Sequence, residues 1–339
     1  MSIVIIAEAG VNHNGSIDLA MQLIDVAVNA GADMVKFQTF KAESVVTKNA
    51  KKADYQIENT GTANESQYDM IKKLELSYHD FVILKDYATS KGILFGSTAF
   101  DMDSVDFLKS LNLNWWKIPS GEITNLPYLR KIGAYNEPTI ISTGMANLAE
   151  VANAINALID AGLDREKITV LHCNTEYPSP LKDVNLKAMV SMGNALGVKF
   201  GYSDHTAGIN VSVIAAALGA TVLEKHFTMS NDLEGPDHKA SLNPEDLKNY
   251  IKAIRETEIV LGNGIKNPSE SEKKNIDIAR RSIFFSKSLK RGDVITENDL
   301  VAKRPGNGIS PMQIDSFVGK VLTMDVLEDE MLTYKHIEW

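Results

Sequence analysis

The sequence predicts an α/β chain: a (β/α)8 TIM barrel followed by a small C-terminal β-rich domain. Three observations predict it. Eight short apolar runs recur, spaced mostly 20–31 residues apart; amphipathic segments long enough for helices lie between most of them; and the composition changes abruptly after Gly262.

The first run is IVIIAEA (3–9). Ser16 can cap the helix that follows, with Leu19, Leu23 and Ala27 on one face and Gly31 where the chain leaves it. The second run, DMVKFQT (33–39), precedes a polar stretch that leaves about 60 residues between strand starts, and a connection of that length predicts an excursion over the barrel mouth. Ser77 with Asp80 three residues on marks the next helix start, before ILFGSTA (93–99). NWWKIPS (114–120), TIISTG (139–144), ITVLHCN (168–174), VKFGYSD (198–204) and ATVLEKH (220–226) complete the set. Asn243-Pro244 opens a last long helix with Leu247, Tyr250, Ile251, Ile254 and Leu261 on one face, and Gly262 closes it. A doubly wound sheet would need a Gly-rich phosphate loop after the first strand, and GVNHNG does not have that pattern. The expected domains are therefore a barrel at 1–262, a polar linker at 263–280 and a β-rich domain at 281–339, the last near the lower size limit for folding alone.

Composition narrows the function classes. The chain has 339 residues, of which 44% are apolar, with a net charge of −9 and one cysteine. That charge argues against a general nucleic-acid or anionic-membrane binder, and no apolar run approaches the roughly 20 residues that span a bilayer. Cys173 cannot form an intrachain disulfide, and the N-terminus lacks the features of a secretory leader, so a cytoplasmic location is expected.

In a barrel of this kind the chemistry lies at the C-terminal ends of the strands. Here those ends supply Glu8, Lys36, Gln38, Ser97, Thr98, Lys117, Ser120, Glu122, Ser142, Thr143, Asn174 to Tyr177, Ser203 to His205, and Glu224 to His226. Lys36 and Lys117 lie in strands that otherwise read as buried, so each needs an anionic partner, a carboxylate or a bound anion. Ser120, Ser142 and Ser203 would add hydroxyl donors to a phosphate and carboxylate cradle. His205 and His226 end neighbouring strands and could hold one divalent metal with open positions, or could be two hydrogen-bonded histidines. His172 and Cys173 read as buried structural residues.

The motifs EAGVNHNG, VKFQTF, STAF, KIPSGEITNLPYL, STGMANL, HCNTEYPSP, GYSDHTAG, EKHFT, GPDHKASL and KRPGNG, in this order, resemble the sialic acid synthase family over nearly the whole chain. Details such as KADYQ and NESQYDM look closest to the branch that makes N,N′-diacetyllegionaminic acid, many of whose members are labelled N-acetylneuraminate synthase. The resemblance implies condensation of phosphoenolpyruvate with an N-acetylated mannose-type aminosugar to give a nine-carbon nonulosonic acid and phosphate. It implies a barrel with an antifreeze-like (SAF) domain, in a homodimer whose SAF domain covers the partner's barrel. By motif, Lys36, Thr98, Lys117, Ser120, Ser142 and Ser203 would bind phosphoenolpyruvate, and His205 and His226 would bind Mn²⁺, with Mg²⁺ or another divalent ion as alternatives. Glu8 would be the catalytic base, with Glu122 as the second candidate. Gln38, Tyr177 and Asp237 would contact the sugar, Arg304 would reach it from the partner, Thr175 stands where neuraminate-making members often have Asn, and Asn64 is the nearest match for a sugar-facing asparagine. Rival readings are another phosphoenolpyruvate-condensing barrel, a Schiff-base aldolase and a non-catalytic sugar-binding protein.

Overall fold

A computed structural model of the chain describes residues 2–62 and 64–339. They fall into two compact units, Met1–Gly262 and Asn263–Trp339.

The first unit is built on eight parallel strands: β1 Val4–Gly10, β2 Met34–Thr39, β3 Leu94–Ala99, β4 Trp116–Ile118, β5 Thr139–Ser142, β6 Ile168–His172, β7 Lys199–Asp204 and β8 Val222–His226. Each expected apolar run contains one of them. Hydrogen-bonded neighbours follow the order β3-β2-β1-β8-β7-β6-β5-β4, so the ladder closes on all but one side. There β3 meets β4 through side chains. The Trp115 indole packs on Gly96, where an added Cβ would lie 2.1 Å from the ring, and the Tyr128 hydroxyl donates to the Ala99 carbonyl at 2.7 Å. The result is a near-barrel of the TIM type.

Between the strands run α1 Ile17–Ala30, α2 Ala42–Val45, α3 Asp54–Thr60, α4 Gln67–Lys72, α5 Tyr78–Ser90, α6 Met102–Ser110, α7 Leu126–Gly133, α8 Leu148–Asp160, α9 Leu186–Leu196, α10 Asn210–Ala217 and α11 Pro244–Leu261. Ser16 caps α1, Ser77 and Asp80 form a reciprocal capping box on α5, and Asn243 caps α11.

Strand alternation sorts the side chains. Ile5, Ala7, Val35, Phe37, Ile141, Val170 and Leu223 face outward into the main apolar core with residues of the helices. Ile6, Met34, Leu171 and Val222, with Trp115 and Ile140, form a separate apolar layer. Two residues further along the same faces come Glu8, Lys36, Lys117, Ser142 and Glu224, with Ser203 of β7 paired in register with Glu224. The polar site therefore stands one layer above an apolar floor, and all six of these residues are buried.

The long β2–β3 connection contains α2, α3 and α4. A small apolar cluster of Val11, Phe40 and Leu74, backed by Val45, Ile71 and Phe100, fastens it to the strand ends.

The second unit pairs β9 Ser282–Phe285 antiparallel with β10 Leu300–Lys303 around a core that includes Ile283, Phe285, Ile295, Phe317, Leu322 and Leu332. The stretch 263–280, expected as a linker, instead carries a helix, α12 Glu270–Ala279, opened by a capping box of Ser269 and Glu272. None of its residues is buried, which is why its composition reads as linker. Among the described residues no helix is long and apolar enough to cross a membrane.

Candidate active site

The strand ends of the first unit enclose a cavity of about 420 Å³ lined by Glu8, Lys36, Gln38, Thr98, Lys117, Ser120, Ser142, Thr175, Tyr177, Ser203, His205, Glu224 and His226, with Tyr55, Gln56 and Gln67 from the long connection. Twelve of the sixteen residues expected at the site from the sequence thus line one space.

Its floor is a quartet of charged groups. Lys36 Nζ lies 2.6 Å from Glu8 Oε2 and 3.6 Å from Glu224 Oε2, and it donates to Thr98 Oγ1 at 3.0 Å. Lys117 Nζ donates to both oxygens of Glu224, at 2.8 and 3.0 Å, and Ser203 Oγ donates to the same carboxylate at 2.9 Å. Each ammonium thus has the anionic partner that its burial demands. Burial alone would raise the Glu224 pKa, but Lys117 and then Lys36 hold it well below the usual carboxylate range. For Glu8 burial prevails and pushes the carboxyl up to about 7, against the pull of Lys36. Burial also lowers Lys117, whereas Glu224 and Glu8 together outweigh it at Lys36 and raise that lysine. Glu8 is therefore the member of the quartet that exchanges its proton near neutral pH.

Above the quartet stand two imidazoles with ring centroids 5.6 Å apart. His205 Nδ1–H donates to the Asn174 carbonyl, which fixes the tautomer and turns the Nε2 lone pair toward the Tyr177 hydroxyl at 3.1 Å. The Tyr177 ring stacks on His205 at 4.1 Å. His226 Nδ1 is buried without a hydrogen-bond partner. Gly10, at φ +54°, makes room for that ring, since a Cβ there would lie 3.1 Å from His226 Cε1. Burial pushes His205 down to about 4 and His226 further below the ordinary histidine value, so both are neutral at pH 7, the form that binds metals. Two neutral nitrogen donors, one of them orphaned, in a cavity with carboxylates nearby suit a divalent cation that keeps several water ligands. Among the described residues no group of three or more His, Cys, Asp or Glu side chains forms a metal cluster.

A second chamber of about 240 Å³ shares Gln38, Tyr55, Gln56, Gln67, Phe100, Tyr177 and His226 with the first and adds Asp237. Asp237 is buried, and burial pushes its carboxyl up to about 6.

Three expected residues lie elsewhere. Glu122 does not line the cavity; it sits in the turn after β4 and accepts from Asn125 Nδ2 at 2.6 Å, at the N-terminus of α7. Asn64 lines an open surface depression with Lys72 and Lys73. The asparagine of this connection that reaches the strand-end segments is Asn59, whose side chain donates to the Pro236 carbonyl at 2.7 Å. Arg304 belongs to the second unit, where its Nε–H donates to the Ala279 carbonyl at 3.0 Å. Glu224, named at the end of β8 by the strand-end pattern but given no role by it, is the residue that joins the two lysines. The signal was its place two residues before His226, on the same face of β8, and the need of two buried lysines for two carboxylates.

The model of the NeuB family matches residues 23–266, and that of the SAF domain matches residues 280–338. An N,N′-diacetyllegionaminic acid synthase of Campylobacter jejuni is 52% identical over 328 residues, 97% of this chain and 98% of that protein. One of Legionella pneumophila is 47% identical, over 100% of this chain and 95% of that protein. Among solved structures, the N-acetylneuraminic acid synthetase of Leptospira borgpetersenii, in complex with citrate, superposes with a TM-score of 0.72 at 31% identity, covering 81% of this chain and 90% of that one.

Proposed function

The chain belongs to the NeuB family, and from that premise we propose that it condenses phosphoenolpyruvate with an N-acetylated mannose-type aminosugar, releasing phosphate and a nine-carbon nonulosonic acid. The acceptor that the relatives' names favour is the 2,4-diacetamido-2,4,6-trideoxy sugar, which gives N,N′-diacetyllegionaminic acid; N-acetylmannosamine, giving N-acetylneuraminic acid, is the second choice. The observation that carries the reading is the convergence of two buried lysines, two buried carboxylates and two neutral imidazoles on one strand-end cavity.

Phosphoenolpyruvate brings phosphate and carboxylate charge to the floor. Lys36 and Lys117 would neutralise it, with Thr98, Ser120, Ser142 and Ser203 as hydroxyl partners, in a site where the scarcity of water makes each charge count. Carbon 3 of the enol ester forms a bond to the aldehyde carbon of the open-chain sugar, and the aldehyde oxygen becomes a hydroxyl. A water adds at carbon 2, one of its protons passing by way of Glu8 to the former aldehyde oxygen; phosphate then leaves with the electron pair of its C–O bond and the second water proton, and carbon 2 becomes a ketone. Glu8 would receive the water's proton, because its carboxyl is deprotonated in part at pH 7 and returns the proton readily. Gln38 donates to Glu8 Oε1 at 3.3 Å and, with Thr175 and Tyr177, would orient the sugar. A divalent cation, with Mn²⁺ the leading choice, would be held by His205 and His226; when bound it supplies Lewis acidity for the aldehyde oxygen. We place the enzyme in the cytoplasm as a homodimer whose SAF domain brings Arg304 to the partner's sugar site.

The test is a phosphate-release assay with phosphoenolpyruvate, Mn²⁺ and either acceptor, with product masses measured. The expected product is one nonulosonic acid per phosphate. No release with either sugar would sink the reading, as would trapping of a pyruvate imine on a lysine by borohydride, since the proposed route forms no imine.

A further inference from the structure

Behind the cavity lies another buried ion pair, one with no part in the reaction above. Asp204 of β7 and Lys225 of β8 are paired in register, and Lys225 Nζ lies 3.1 Å from Asp204 Oδ2. Tyr202 and Leu223, two residues before them on the same faces, belong to the main apolar core, so both charged side chains point away from the cavity. Each nevertheless stands between two cavity residues: Asp204 between Ser203 and His205, and Lys225 between Glu224 and His226. The pair grips the residue that follows His205. Asp204 Oδ1 accepts from the Thr206 backbone N–H at 2.9 Å and from its hydroxyl at 2.7 Å, and Lys225 Nζ donates to the Thr206 carbonyl at 2.7 Å. Asp204 Oδ2 also accepts from Ser212 Oγ of α10 at 2.7 Å. Every polar group of Thr206, a fully buried residue, is thus held by this pair.

We propose that Asp204 and Lys225 are positioning residues, a clamp that sets the separation and tilt of the His205 and His226 rings so that one divalent cation can engage both. The inference rests on the reading of the two imidazoles as the cation's ligands within the proposed synthase. Stability alone is a poor reason for such a pair. Two charges drawn out of water regain by attraction about what they lose in hydration, and apolar residues of similar size commonly serve as well. What apolar residues cannot supply is direction. Lys225, on the strand of His226, holds the carbonyl just after His205, so a slide of one strand end against the other breaks that bond. A twist of the backbone at 205–206 breaks the two bonds to Asp204. Within the cavity, His226 Nδ1 has no hydrogen-bond partner among the described residues, so the placing of that ring depends on its backbone. Groups that orient a metal's ligands in this way commonly govern its affinity without touching it.

The experiment measures Mn²⁺ affinity without substrates, from the electron paramagnetic resonance signal of the free ion, in the wild type, Asp204→Ala and Asp204→Asn. Each protein is titrated at a temperature where circular dichroism shows it folded. Asp204→Ala should bind Mn²⁺ about 10- to 100-fold more weakly than the wild type. Asp204→Asn keeps an oxygen that can accept from Thr206 and should recover most of the affinity. Should Asp204→Ala fail to fold, Lys225→Met takes its place; it frees the Thr206 carbonyl alone, and weaker Mn²⁺ binding is expected of it too. Wild-type affinity in the folded Asp204→Ala, or in Lys225→Met where that replaces it, overturns the clamp and leaves the pair with a part in stability only. An equal loss in Asp204→Asn and Asp204→Ala also overturns it, because the charge and not the grip on Thr206 would then matter. Absence of Mn²⁺ binding by the wild type overturns the cation reading and the clamp together. A wild type that binds Mn²⁺ through the clamp yet releases no phosphate from phosphoenolpyruvate with either sugar overturns the synthase reading and leaves the clamp standing.

Discussion

Glu8 and Lys36 occupy paired positions on β1 and β2 and meet at 2.6 Å, yet burial raises the Glu8 carboxyl to about 7. Burial is the larger cause, and the charge of Glu224, which also draws on Lys36 at 3.6 Å, adds to it. With two carboxylates sharing the lysines, the less favoured one keeps its proton to neutral pH.

That arrangement fixes the pH dependence of the reaction. The base form of Glu8 is its carboxylate, so the fraction available to take a proton rises as pH rises through about 7. The kcat of the wild type should therefore climb on the acidic side with a midpoint near 7. Glu8→Gln should lower kcat by ~10²–10⁴ and abolish that limb without raising the KM for phosphoenolpyruvate. A variant that keeps the wild-type pH limb would assign the titration to another group.

Glu224 predicts a different signature. Removing its charge leaves Lys117 and Lys36 as buried cations with one carboxylate between them, and breaking a buried pair typically costs about 3–5 kcal/mol. Glu224→Gln should melt at markedly lower temperature than the wild type. Phosphoenolpyruvate, a polyanion, should restore more of the loss than it adds to the wild type. Thermal melting of both proteins with and without the ligand measures this; an equal ligand-induced rise in Tm would separate Glu224 from the anion site.

The two imidazoles can be tested apart from turnover. Mn²⁺ should raise the Tm of the wild type and leave His226→Ala unmoved, and chelator should stop phosphate release in the wild type until Mn²⁺ is returned. The neutral state of both rings makes the affinity nearly independent of pH between 6 and 8, because neither histidine has a proton to lose there. A stabilisation by Mn²⁺ that survives in His226→Ala would move the cation elsewhere.

The barrel was legible because the same alternation that buries Ile6, Met34 and Val222 returns Glu8, Lys36 and Glu224 to the same face two residues later. Strand-end position was enough to gather Lys117, Ser142, Ser203, His205 and His226. It failed where a residue follows a turn rather than a strand. Glu122 comes after Pro119, and the backbone there has already turned toward α7. The long connection was harder still. Its polar composition conceals three short helices, and which of its side chains face inward depends on the cluster of Val11, Phe40 and Leu74, whose members are far apart in the chain. Tyr55, Gln56 and Gln67 therefore enter the cavity without a sequence signal, while Asn64 lines a separate surface depression. Helix α12 was hidden for the opposite reason: a helix that buries nothing has no apolar stripe to read.

Asp237 sets binding against stability. Its carboxyl, ordinarily near 3.8, is raised to about 6 by burial, so the folded chain holds this proton more tightly than the unfolded one. The stability contributed by the protonated form is complete below about pH 4, declines as pH rises to about 6, and is gone above that. At pH 7.5 the ionised group therefore burdens the fold by up to about 3 kcal/mol, at roughly 1.4 kcal/mol per pH unit of displacement. Asp237→Asn keeps the shape and removes the charge. It should be more stable than the wild type at pH 7.5 and nearly equal to it at pH 4, while the KM for the acceptor rises and that for phosphoenolpyruvate does not. Denaturant melts at the two pH values, set beside acceptor kinetics, check both halves. A variant less stable at pH 7.5 would mean that the carboxylate has a partner within the protein, and it would then be unavailable to the sugar.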